Sequence, residues 1–109
     1  TWCCTTESVL ESNEYVVLYD NRTRNPLCAM QRITKQQVAV RQADRKDSNF
    51  YEDTRLDPVF RASLDDYRGS GFDRGHMCPA GDFSFNQKAM DQTFCLTNIS
   101  PQVGQGFNR

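Results

Sequence analysis

A chain of 109 residues, 38% hydrophobic and 25% charged, makes at most one domain with a modest core and has the composition of an ordinary globular protein. No apolar run approaches spanning length, so membrane insertion is not expected, and Thr1-Trp2-Cys3-Cys4 has neither the charged start nor the apolar stretch of a signal peptide. The formal net charge of −1 speaks at first against a nucleic-acid partner.

In chain order, Tyr15-Val16-Val17-Leu18-Tyr19 is a β-branched and aromatic run. It is followed by the turn formers of Asp20 to Pro26 and then by Leu27 to Arg32, which predicts two antiparallel strands. Val38 and Val40 alternate with polar neighbours, the period of a third strand. Asp44 to Asp57 is polar and without periodicity, and reads as a loop. Asp57-Pro58 has the form of an N-cap followed by proline in the first turn, so a short helix is expected from Pro58 to about Leu64, with Gly69-Ser70-Gly71 ending it. Phe72 to Met77 is a strand candidate, Ser84 to Asp91 fits two turns of helix, and Phe94 to Asn98 reads as another strand. The fold class is α+β with a mixed or antiparallel sheet, with chemistry-bearing residues at strand ends and in loops.

The charges are sorted along the chain. Between residues 22 and 46 stand Arg22, Arg24, Arg32, Lys35, Arg41, Arg45 and Lys46 against the single acid Asp44. Such a run is either a solvated face or an electrostatic footprint for phosphates. The five cysteines, Cys3, Cys4, Cys28, Cys78 and Cys95, are odd in number and include no Cys-x-x-Cys spacing. A zinc or redox protein therefore lacks its motif, and buried free thiols are the plainer reading.

His76 is the only histidine, so any imidazole chemistry must use it. A lone histidine is more often structural, but Arg74 two residues away shares its face if the segment is extended. Hydrolysis of a phosphodiester needs a base near neutral pH, which suits an imidazole of ordinary pKa about 6.5. It also needs positive charge where the phosphorane develops, which a guanidinium supplies with forked hydrogen bonds.

Asp73-Arg74-Gly75-His76-Met77-Cys78-Pro79-Ala80-Gly81 resembles the signature of the DNA/RNA non-specific endonucleases, whose catalytic core is the ββα-metal or His-Me finger. Tyr67-Arg68-Gly69-Ser70-Gly71 before it agrees, as do Lys88-Ala89-Met90, Thr97-Asn98-Ile99-Ser100-Pro101-Gln102-Val103 and Gly106-Phe107-Asn108-Arg109 after it. The mitochondrial endonuclease G type is the nearest branch, similar also at Glu14-Tyr15-Val16, Thr23-Arg24-Asn25-Pro26 and Ala43-Asp44-Arg45-Lys46, so the likeness covers roughly residues 14 to 109.

The resemblance implies a metal-dependent hydrolase that cuts DNA and RNA to 5′-phosphate and 3′-hydroxyl ends. His76 would be the general base, Arg74 the phosphate clamp, Arg45 the second arginine and Asn98 an orienting group. Asn108 would be the amide ligand of one Mg²⁺, with Mn²⁺ as a substitute ion, while Asp73 and Gln102 would be structural or support the metal shell. It also implies a mitochondrial location, with secretion as the alternative, and a homodimer. The competing reading is a catalytically inactive nucleic-acid-binding module. Because the chain stops one residue after Asn108, residues 72–109 would be a ββα-metal motif lacking most of its helix. They would lie within a single, incomplete domain 1–109 that a second polypeptide piece completes. Phe94 to Asn98 would then be an interior strand with a neighbour from outside this sequence.

Overall fold

A computed structural model describes residues 7–105 of the chain. Three strands form an antiparallel sheet: β1 (Glu7–Glu11), β2 (Tyr15–Asp20) and β3 (Asn25–Gln31), in that order. The central strand follows the period of two, Tyr15, Val17 and Tyr19 turning inward with almost no exposure. The expected hairpin is present, with a shorter turn. Asp20 tightens that turn by accepting from the Arg22 backbone N–H at 3.1 Å and the Thr23 hydroxyl at 2.8 Å, and Arg24 takes a φ of 58°. Pro26 sits in β3, an edge strand among the described residues, where the pairing with β2 shifts register between Leu18 and Tyr19, a place that tolerates its missing N–H. The strand β1 was not anticipated, because Glu7 and Glu11 flank too short an apolar core to show periodicity.

The predicted strand around Val38 and Val40 is instead a helix, α1 (Lys35–Ala39). Thr34 starts it: its hydroxyl accepts from the Gln37 N–H, and the Gln37 side chain accepts from the Thr34 N–H. This reciprocal cap stabilises a helix start by about 1 kcal/mol. Val38 is 51% exposed, so the alternation marked no buried face. The expected helix from Pro58 breaks in two. Asp57 caps a single 3₁₀ turn, Pro58–Phe60, and α2 (Leu64–Tyr67) starts separately where Asp66 accepts from the Ser63 N–H. Gly69 and Gly71, both at positive φ, turn the chain out of α2.

The strand β4 (Asp73–His76) pairs antiparallel with β5 (Ile99–Gln102), placing His76 opposite Ile99 and Arg74 opposite Pro101. Between them lies α3 (Gln87–Gln92), which begins two to three residues later than expected because Asn86 caps it through the Ala89 N–H. The strand expected at Phe94 to Asn98 is corrected. Leu96–Asn98 is a 3₁₀ turn, the strand starts at Ile99, and only an isolated parallel bridge from Tyr51 to Cys95 marks the earlier residues. Polar anchoring is the reason: the Asn98 amide is tied back to Thr93 and Cys78, which an extended run would not allow.

Two apolar clusters hold these parts. One joins the three-stranded sheet to Phe83, Met90 and Phe94; the other gathers Ala62, Leu96 and Ile99 beneath β5. Phe50 packs against both. Among the described residues no helix is long and apolar enough to cross a membrane. Cys28, Cys78 and Cys95 are free thiols, the last two buried.

Candidate active site

Arg74 and His76 lie on the same side of β4, as the extended backbone requires. Between them, Gly75 leaves room for the Gln102 side-chain amide: a Cβ there would stand 1.8 Å from it, so Gln102 would have to turn aside. Gln102, placed opposite Asp73 in β5, thus rests against the bare Cα of Gly75, a structural use that agrees with its expected supporting part. Gly104 gives the Asp73 carboxylate similar room, since a Cβ at Gly104 would approach it to 3.0 Å.

The imidazole of His76 is half-buried and packed on rings. Phe94 meets it edge-on with centroids 4.6 Å apart, and Phe50 is tilted against it at 5.7 Å. Phe50 and Phe94 contact each other at 4.8 Å. Each phenylalanine also carries an arginine: the Arg74 guanidinium lies 4.3 Å from the Phe50 centroid, and that of Arg45 lies 5.6 Å from the Phe94 centroid. Cation–π contacts of this kind contribute about 0.5–1 kcal/mol at exposed sites. Here their main effect is to fix two flexible cations beside one imidazole.

Burial, and then the charge of Arg45, push the His76 pKa down to about 4. The imidazole is therefore neutral at physiological pH, well below the ordinary value that suited it in the sequence. Its Nε2 is shielded from solvent and has no hydrogen-bond partner among the described residues. A buried polar atom without a partner is costly in a folded chain, and such atoms concentrate where a ligand or reactant supplies the missing bond.

Asn98 is fully buried. Its side-chain oxygen accepts from the Cys78 N–H at 2.9 Å, and its nitrogen donates to the carbonyls of Cys78 and Thr93 at 3.1 and 2.9 Å. Its own carbonyl accepts from the Met77 N–H at 2.8 Å. All of this holds the backbone just after His76.

Arg45 and Arg74 open onto a cleft of about 540 Å³ that Phe50, Tyr67, Arg68 and Phe72 also line. Arg68 is largely solvated and pairs with Asp65 at 2.9 Å, an exposed pair of little energetic weight. Of the basic run 22–46, only Arg45 reaches this cleft, while Arg24 and Arg32 line two other hollows. The run is not one continuous face. Asn108, the expected metal ligand, lies outside the described residues, and among those described no group of three His, Cys, Asp or Glu could hold an ion.

Phe50 and Phe94 were not singled out in the sequence. The available signal was the aromatic pair Phe50-Tyr51 inside an otherwise polar loop, since exposed loops rarely keep large apolar side chains without a use.

A neutral imidazole under the charge of Arg45, close in sequence to a cleft that Arg45 and Arg74 line, is chemically able to handle phosphate esters. Residues 4–109 match the model of the DNA/RNA non-specific endonuclease family, and the chain belongs to that family. It is 50% identical over 96 residues to the mitochondrial nuclease of Saccharomyces cerevisiae, covering 88% of this chain and 29% of that protein. It is 44% identical over 95 residues to human mitochondrial endonuclease G, covering 86% of this chain and 32% of that protein. The crystal structure of the EndoG/EndoGI complex, described as revealing the mechanism of EndoG inhibition, contains a chain of the same fold. The TM-score is 0.88 at 45% identity, over 93% of this chain and 42% of that one. The chain thus spans well under half the length of these relatives.

Proposed function

We propose that this chain carries the catalytic centre of a sugar-non-specific endonuclease, which hydrolyses phosphodiester bonds of DNA and RNA and works in mitochondria. The observation that carries the reading is the shielded Nε2 of His76, which bonds to no described residue, on an imidazole kept neutral by its burial and by the charge of Arg45.

In this mechanism a water enters beside His76, and the imidazole takes its proton as the water oxygen forms a bond to phosphorus. The guanidinium of Arg74, already fixed over Phe50, hydrogen-bonds the non-bridging oxygens as charge builds on them. Arg45 adds a second positive charge at the cleft. The P–O3′ bond breaks, leaving a 5′-phosphate, and the departing 3′ oxygen takes a proton from water.

The strands β4 and β5 would be the two strands of a ββα-metal finger. A hard ion that keeps most of its waters needs few protein ligands, so the lack of a carboxylate cluster among the described residues fits a site built on one amide, Asn108. When bound there, Mg²⁺ would supply positive charge to the scissile phosphate and the leaving oxygen.

Plasmid nicking in Mg²⁺ tests the proposal. His76→Ala should lower the rate by about 10² to 10⁴ with binding retained and salt-sensitive. A parent protein that binds nucleic acid but never cuts it would favour the inactive binding module. Undiminished cleavage by His76→Ala would remove the imidazole from the mechanism.

A further inference from the structure

One buried ionisable group has no part in the proposed chemistry. Asp53 is 3% exposed, in the loop that also carries Phe50. Its Oδ1 accepts from the Arg55 backbone N–H at 3.0 Å and from Arg55 Nε at 2.9 Å. Its Oδ2 accepts from the Arg55 guanidinium at 2.6 Å and from the Thr97 hydroxyl at 3.0 Å. Burial would raise its pKa, but the Arg55 and Thr97 hydrogen bonds outweigh that and hold the carboxyl below its ordinary range. The carboxylate is therefore charged and saturated with donors.

What it joins is more telling than its charge. Thr97 is the neighbour of Asn98, whose amide and carbonyl hold Met77 and Cys78 directly after His76. On the other side, the loop is stitched to the same segment by Tyr51 N–H to the Phe94 carbonyl at 3.2 Å and Leu96 N–H to the Tyr51 carbonyl at 2.9 Å. The segment 93–98 thus carries Phe94 and the Asn98 clamp, while the loop carries Phe50 and Arg45. Asp53 to Thr97 is a buried side-chain tie between the two halves of the aromatic cage around His76.

We propose that Asp53, acting through Thr97, is a positioning residue for the phosphodiester site, holding Phe50 and Phe94 in the arrangement that packs the His76 ring and carries Arg45 and Arg74. The inference rests on the nuclease reading for its kinetic consequence, and on geometry for the rest. Without the tie, the loop shifts against segment 93–98, the Phe50 and Phe94 rings part, and water reaches the imidazole. Arg45, from the loop, is the cation whose charge acts on His76, while Arg74 of β4 lies over Phe50, so a loosened loop also carries Arg45 away. Both changes favour the protonated imidazole.

Thr97→Val removes the hydroxyl at nearly constant shape, and Thr97→Ser restores it. Arg55→Gln loosens the carboxylate from its half-exposed side and serves where Thr97→Val fails to fold. Two readouts apply: plasmid-nicking kinetics in Mg²⁺ against pH, and NMR titration of the single imidazole, which needs no activity. Thr97→Val or Arg55→Gln should lower kcat by on the order of ten- to a hundredfold with KM little changed, and should move the imidazole midpoint up from about 4. Thr97→Ser should return both to the parent values. Variants that lose thermal stability yet keep the parent kcat and midpoint in their folded fraction would overturn the proposal. An inactive parent protein whose imidazole midpoint still rises in Thr97→Val would sink the nuclease reading and leave the tie standing.

Discussion

The three-stranded sheet and the β4–β5 ribbon are built by different physics. In the sheet, burial does the work: Leu10, Tyr15, Val17 and Tyr19 face one core, and register follows from a period of two. In the ribbon and its surroundings, position is set by buried polar side chains bonding to distant backbone, as Asn98 does to Cys78, and by rings gathered from residues 50, 76 and 94. The sheet tolerates approximation, because apolar contacts are non-directional. The ribbon does not, because a hydrogen bond or a ring edge misplaced by an ångström is lost.

The largest effects that would break this contrast are paired truncations. Leu10→Ala should destabilise the fold by about 2–5 kcal/mol while the remaining folded protein cuts at the parent rate. Asn98→Ala leaves the Cys78 and Thr93 groups unpaired in a buried place, at about 1–3 kcal/mol each for groups that find no water. It should also lower kcat in the folded fraction. Denaturant titration with single-turnover cleavage separates the two, and equal kinetic behaviour of both variants would erase the distinction.

Next in size is a comparison of two glycines. Gly75→Ala puts a Cβ where the end of the flexible Gln102 side chain lies, so Gln102 must turn away, at a cost no higher than the low end of the about 1–3 kcal/mol of core overpacking. Gly81→Ala meets nothing within 4 Å and should change stability by no more than about 0.5 kcal/mol. Thermal unfolding checks both, and a Gly75→Ala loss no larger than that of Gly81→Ala would mean that the Gln102 contact with Gly75 contributes nothing to stability.

The smallest effect is the pH dependence of stability. Because the folded-state pKa of His76 lies at about 4, below the value near 6.5 of an unfolded chain, the unfolded state binds the proton first. Its contribution is full above pH 6.5 and is lost as pH falls toward 4. A His76→Gln variant should lose less stability over that window in urea titrations, and parallel losses in the two proteins would count against a depressed imidazole.

How legible each region was follows from the same contrast. The β2–β3 hairpin was readable because Tyr15 to Tyr19 shows its alternation locally and Asp20 to Pro26 names its turn. His76 and Arg74 were readable because the motif is contiguous. The cage was not, since Phe50 reaches His76 across 26 positions of chain, and no local pattern encodes a ring contact at that separation. Val38 and Val40 misled for a related reason: a two-residue alternation carried less free energy than the reciprocal cap from Thr34 and Gln37. Phe94 to Asn98 misled because apolar residues in a row do not reveal that Asn98 turns back to bond its own neighbourhood.

The central claim is that His76 is a neutral, shielded base packed on Phe50 and Phe94 under the charge of Arg45, and it has a direct test. The chain contains one histidine, so the imidazole signals of an NMR pH titration need no assignment. The account predicts a midpoint near pH 4, coincident with the acid limb of plasmid cleavage in Mg²⁺. A midpoint near 6.5, the value of a solvated imidazole, would contradict it.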